Sequence, residues 1–110
     1  MRDVWLNADD GTRLYACDAG ASGSRNVPLL CLSGLTRNHR DFHPVIDALG
    51  RGRRVICADY RGRGQSSWAI DAKTYRADVE MLDALKLLDH LKIERAAVVG
   101  VSRGGIVGMV

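Results

Sequence analysis

Short apolar runs alternate along this chain with stretches of helical period. Val4 to Asn7 and Leu14 to Cys17 flank Asp9-Asp10-Gly11, which predicts two strands joined by a tight turn. The small residues Gly20-Ala21-Ser22-Gly23-Ser24 then read as a loop. Val27 to Leu32 is apolar throughout, as in a strand buried on both faces. Phe42 to Leu49 predicts a short helix stopped by Gly50, and Val55 to Ala58 a second buried strand ending at Asp59. Tyr75, Val79, Leu82, Leu85, Leu88 and Leu91 recur close to a 3.6 period. They predict a helix capped by Thr74, with Arg76, Asp83 and Lys86 on the opposite side. Ala96 to Val99 predicts one more buried strand, ending at Gly100.

Helices placed between apolar strands imply parallel pairing with crossover connections. The expected fold class is therefore α/β: an N-terminal hairpin, then parallel strands with helices covering the sheet. With 110 residues the chain suffices for one small domain, residues 1–110. The run from Gly104 to Val110 looks like a helix opening and is shorter than an average helix of about 11–12 residues. The expectation is that this is the N-terminal part of a longer protein.

Composition changes this picture little. Apolar residues make up 46% and charged residues 26%, values of a globular chain rather than a disordered one. No apolar run approaches the roughly 18 residues of a membrane span. Met1-Arg2-Asp3-Val4-Trp5 lacks the apolar core of a secretory signal, so a cytoplasmic location without membrane association is expected. Cys17, Cys31 and Cys57 are widely spaced, contain no C-x-x-C pair and lie in predicted strands, which predicts buried, reduced thiols. Net charge is +3, although seven Arg fall between Arg37 and Arg63. Only Phe42 and Tyr60 accompany them, so a solvated surface is expected rather than a nucleic-acid face.

The chemistry concentrates in Gly100-Val101-Ser102-Arg103-Gly104, a G-x-S-x-G between an apolar strand and a helix-like run. In so tight a turn the flanking side chains would clash, which accounts for Gly100 and Gly104. Ser102 would then project from the carboxyl end of the sheet, with the Arg103 N–H at a helix start where it can stabilise an oxyanion. The competing reading is a glycine-rich turn without catalysis. Ser33-Gly34-Leu35 follows another predicted strand. The Leu35 N–H could be a second oxyanion donor, and a plain loop explains those residues equally well.

A third motif, Asp59-Tyr60-Arg61-Gly62-Arg63-Gly64-Gln65-Ser66, has the form D-x-R-G-x-G-x-S. With the glycine loop before it and G-x-S-x-G after it, the chain resembles the α/β-hydrolase superfamily over nearly its whole length. The finer likeness is to small bacterial esterases, lactonases and C–C-bond hydrolases. The resemblance implies an α/β-hydrolase fold truncated after the nucleophile elbow. It makes Ser102 the nucleophile and gives Leu35 and Arg103 the oxyanion hole through their backbone N–H groups. Asp59, Arg61, Gly62, Gly64 and Ser66 would form a structural turn near the site's mouth. Many relatives carry His-Gly where this chain has Ser33-Gly34. A dinucleotide reading of Gly62-Arg63-Gly64-Gln65-Ser66-Ser67 fails because the last glycine is missing and no helix follows at once.

A serine hydroxyl needs a base, usually His, oriented by a carboxylate. The superfamily order is Ser, acid, His, yet no Asp, Glu or His follows Ser102 here. His39, His43 and His90 all precede it. His39 and His43 are expected at a helix start, on the surface or at a pocket rim, and His90 on an exposed helix end. His39 could serve as base only by breaking the order. A metal site at His39 and His43 lacks the Glu of H-E-x-x-H, since Arg40 stands there. Serine rather than aspartate at the elbow points to ester, thioester, lactone or activated C–C cleavage of a small-molecule substrate through an acyl-enzyme. No cofactor is implied, and acid and base are expected beyond residue 110. Arg103 could recognise a substrate carboxylate. The alternative is a non-catalytic binding protein of the same fold, or an inactive fragment.

Overall fold

The computed structural model describes residues 2–21, 23, 25–33, 38–100 and 104. Five strands form one sheet: β1 (Arg2–Asn7), β2 (Arg13–Gly20), β3 (Leu29–Leu32), β4 (Arg54–Ala58) and β5 (Ala97–Gly100). Their order is β1-β2-β4-β3-β5. β1 and β2 form the predicted antiparallel hairpin, and β2 runs antiparallel to β4. β3 is parallel to both β4 and β5.

The two longer helices are α1 (His43–Leu49) and α2 (Ala77–His90). A 3₁₀ turn, His39–Phe42, leads into α1, capped by the Asn38 side chain, which accepts the Arg40 N–H. The sheet lies between the helices. Leu30, Leu32, Ile56 and Ala58 meet Ala84 and Leu87 of α2 on one face. Cys17, Cys31, Val55 and Cys57 meet Phe42, with Val45 and Ile46 of α1, on the other. Because β3 and β4 are covered on both faces, their sequences are apolar at consecutive positions rather than alternate ones.

The three cysteines are free and buried, as expected. They stand in one row, Cys17 opposite Cys57 and Cys57 level with Cys31. Burial pushes the Cys17 thiol above its ordinary range.

The expectations for α2 need correction. α2 does not bury the stripe through Leu82 and Leu85, which are 64% and 44% exposed. Its buried residues are Glu80, Ala84 and Leu87, and Asp83 turns inward. The cause is Arg61, whose buried guanidinium takes Asp83 as its partner and sets the helix's rotation. Thr74 is not the cap of α2, because the helix starts at Ala77. The Thr74 hydroxyl instead donates to the Asp71 carbonyl and accepts from Arg61. β5 is less buried than its apolar run suggests, with Ala97, Val98 and Gly100 exposed. Among the described residues it is an edge strand, paired only with β3.

Candidate active site

The motifs converge at the carboxyl ends of β3, β4 and β5. In register, Leu32 stands level with Ala58 on one side and Gly100 on the other. The chain therefore leaves the sheet after Leu32, Ala58 and Gly100 at three neighbouring points. In open α/β sheets this edge is where ligands bind.

Gly100 closes β5, and the backbone is helical again at Gly104. Gly104 packs so closely on the main-chain carbonyl of Leu32 that a Cβ would overlap it. The glycine is thus required by the approach of this backbone to β3. Ser102, Arg103 and Leu35, assigned above as nucleophile and oxyanion donors, lie outside the described residues.

The loop after β4 is built as its sequence requires. Asp59, with a fully buried side chain, accepts three bonds from the described residues. They come from the His39 main-chain N–H at 2.7 Å, His39 Nδ1 at 2.7 Å and the Gln65 N–H at 3.0 Å. A buried carboxylate is tolerated only with such compensation. Arg61 bonds both oxygens of Asp83, at 2.7 and 2.8 Å, and also Asp10 and Thr74. These bonds hold its guanidinium above its ordinary range against the opposing effect of burial. Gly62 and Gly64 have left-handed φ values of 75° and 52°. A side chain on Gly62 would strike the Tyr75 ring, and one on Gly64 the Asp59 carboxylate. Ser66 Oγ accepts the Tyr15 N–H and donates to the Asp59 carbonyl, both at 2.9 Å, fastening the loop to β2. Asp59, Arg61, Gly62, Gly64 and Ser66 therefore all have structural partners here.

His39 departs from expectation. It is buried rather than at the surface, because its ring fills the space between Asp59 and the Tyr15 ring, 5.0 Å away. His43 and His90 are exposed. Tyr60 was not singled out by its sequence, yet its hydroxyl donates to the Ser33 carbonyl at 3.0 Å. The Ser33 hydroxyl itself is buried and has no hydrogen-bond partner among the described residues. Among the described residues no group of three or more His, Cys, Asp or Glu could hold a metal, and no helix is long and apolar enough to cross a membrane.

Comparison with known proteins decides the family, since residues 27–110 match the family model of the alpha/beta hydrolase fold. This chain belongs to the α/β-hydrolase family. It is 42% identical over 81 residues to 3-hydroxybutyrate-oligomer hydrolase of Cupriavidus necator, covering 74% of this chain and 28% of that protein. It is 36% identical over 89 residues to 3-oxoadipate enol-lactonase 1 of Acinetobacter baylyi, covering 80% of this chain and 32% of the lactonase. An α/β hydrolase crystal structure from Novosphingobium aromaticivorans superposes with a TM-score of 0.89 at 38% identity. That superposition covers 98% of this chain and 38% of the solved one. The α/β-hydrolase chain described here thus spans about a third of the length of these relatives.

Proposed function

We propose that this chain carries the nucleophile of a serine hydrolase. Ser102 attacks the carbonyl carbon of an ester, thioester, lactone or activated C–C substrate. The carbonyl π electrons move onto oxygen, and the N–H groups of Leu35 and Arg103 hold the oxyanion. Collapse expels the leaving group and leaves an acyl-enzyme, which water then hydrolyses. The histidine base and its carboxylate come from residues beyond 110.

One observation carries this reading. Strand backbone ends at Gly100, and helical backbone lies against the Leu32 carbonyl at Gly104 with no space for a side chain. The connection is three residues long, and Ser102 is its middle residue. G-x-S-x-G exposes a nucleophile where a strand passes through a tight turn into a helix. The matched oligomer hydrolase and enol-lactonase support carbonyl substrates.

The test is labelling of the full-length protein with a fluorophosphonate. The expected result is one adduct at Ser102, absent in Ser102→Ala, with loss of nitrophenyl-ester turnover in the same variant. Undiminished turnover by Ser102→Ala would overturn the assignment. The Arg103 guanidinium is the candidate contact for a substrate carboxylate. Arg103→Gln is expected to weaken selection of acidic over neutral esters, and an unchanged ratio removes that role.

A further inference from the structure

We propose that a groove at the amino ends of the parallel strands binds a small oligophosphate, a chain of two or three phosphoryl groups either free or carried by a nucleoside. The groove is separate from the candidate active site and shares no residue with it.

The fold divides the arginine-rich run of the sequence. Arg54 opens β4 and Arg61 follows its end, so the two lie at opposite ends of the strand. At the amino end Arg54 is joined by Arg25, from the loop before β3, and by Lys92 and Arg95, from the connection between α2 and β5. Together they line a groove of about 450 Å³, within the roughly 300–1,000 Å³ usual for small-molecule sites. Glu94 is its one carboxylate among the described residues. The side chains of Arg25, Lys92 and Arg95 make no hydrogen bond or ion pair among the described residues. Arg54 bonds both oxygens of Asp18, at 3.0 and 2.7 Å. Arg2 shares that carboxylate, so the trio keeps a net positive charge.

The walls of the groove are fixed by the protein itself. Asn26 Nδ2 donates to the Gly52 carbonyl at 2.6 Å, and the Arg53 guanidinium to the Val27 carbonyl at 2.9 Å. The Ala97 N–H donates to the Pro28 carbonyl at 2.8 Å, which ties the wall before β3 to the wall before β5. Lys92 has a left-handed φ of 58°, at a helix end where glycine is the usual residue. The Ile93 N–H closes that turn on the Leu88 carbonyl at 2.9 Å. A cation thus stands in the groove at a position where glycine would be less strained.

Guanidinium forks and an ammonium around one groove, without carboxylate partners, suit the dense negative charge of linked phosphates. Val27, Pro28 and Ile93 add an apolar flank on which a nucleobase can lie. The modest volume and the charge of Glu94 disfavour an extended nucleic-acid backbone.

The test is calorimetric titration of the full-length protein with tripolyphosphate, ATP, AMP and orthophosphate. Tripolyphosphate and ATP are expected to bind at least about tenfold more tightly than AMP or orthophosphate, because linked charges engage several cations at once. Their Kd should rise several-fold between about 50 and 200 mM salt, since exposed charges are screened. Arg25, Lys92 and Arg95 are exposed, so substitution there leaves the core intact. Arg25→Gln with Arg95→Gln should weaken both ligands about 10- to 100-fold. Lys92→Gly should weaken them about three- to tenfold while the melting temperature holds or rises, because glycine accepts the left-handed φ. ATP binding more tightly than tripolyphosphate assigns a nucleotide, with its base on the apolar flank, and equal affinities assign the free phosphate chain.

The proposal is overturned if neither oligophosphate binds, or if the Arg25→Gln, Arg95→Gln protein binds them as the parent does. It is equally overturned if Lys92→Gly leaves both affinities unchanged, the result expected of a lysine that serves only the helix end. A single-stranded oligonucleotide binding more tightly than ATP and tripolyphosphate would replace it with an extended nucleic-acid face. Fluorophosphonate labelling of Ser102 tests the hydrolase reading independently of all these results.

Discussion

Arg61 grips Asp83 with both arms of its fork, Nε to one carboxylate oxygen at 2.7 Å and a terminal nitrogen to the other at 2.8 Å. The side chain is 2% exposed, and Asp83 is nearly covered as well. Burial pushes the Asp83 carboxyl up while Arg61 pulls it down, and burial prevails. Arg61→Met should therefore leave a buried carboxylate without its cation. It should cost about 3–5 kcal/mol in urea unfolding. Arg61→Met with Asp83→Leu should recover much of that, because the uncompensated charge is gone. A double variant no more stable than Arg61→Met would contradict this account.

Gly64→Ala should destabilise the fold by about 1–3 kcal/mol, from the left-handed φ and the approach to Asp59. Gly23→Ala is the control, since nothing stands within 4 Å of a Cβ there. Equal melting temperatures for the two variants would show that the Asp59 loop gives way.

The Thr12 main-chain N–H and the Arg61 guanidinium lower the Asp10 carboxyl from its ordinary 3.8 to about 2. In the unfolded chain Asp10 takes up its proton as pH falls through 3.8, whereas in the folded chain it stays ionised to about 2. Its contribution is thus complete above pH 4 and disappears between pH 4 and 2. The stability difference between the parent and Asp10→Asn should shrink as pH falls across that window in urea titrations. A constant difference would remove Asp10 from the acid response.

Ser33→Ala should leave stability unchanged or raise it by up to about 1 kcal/mol, because the buried hydroxyl has no hydrogen-bond partner among the described residues. Tyr60→Phe should lower it by about 1 kcal/mol, since the Ser33 carbonyl loses its donor. Thermal melts of the two variants should shift in different directions. A large loss on Ser33→Ala would mean that the hydroxyl has a partner.

The hairpin, the two core strands and both helices were legible because each is a local pattern. Apolar residues repeat at the spacing of the element, and the Asp9-Asp10-Gly11 turn carries its own chemistry. The loop after β4 was legible as a structural turn through its resemblance to the α/β-hydrolase superfamily. The rotation of α2 was not. Leu82 and Leu85 fit the helical period as well as Ala84 and Leu87 do, and the choice fell to Arg61, 22 residues away from Asp83.

The sequence by itself determined the order and type of the elements and the placing of the glycine and serine motifs at strand ends. Those depend on periodicity and on steric limits within a few residues. Only the tertiary structure decided that His39 is buried, that Asp59 and Tyr60 anchor His39 and Ser33, and that Gly104 meets Leu32. These pairings exist because β3 lies between β4 and β5 in the sheet, and adjacency of strands is settled by packing on both faces rather than by neighbours along the chain.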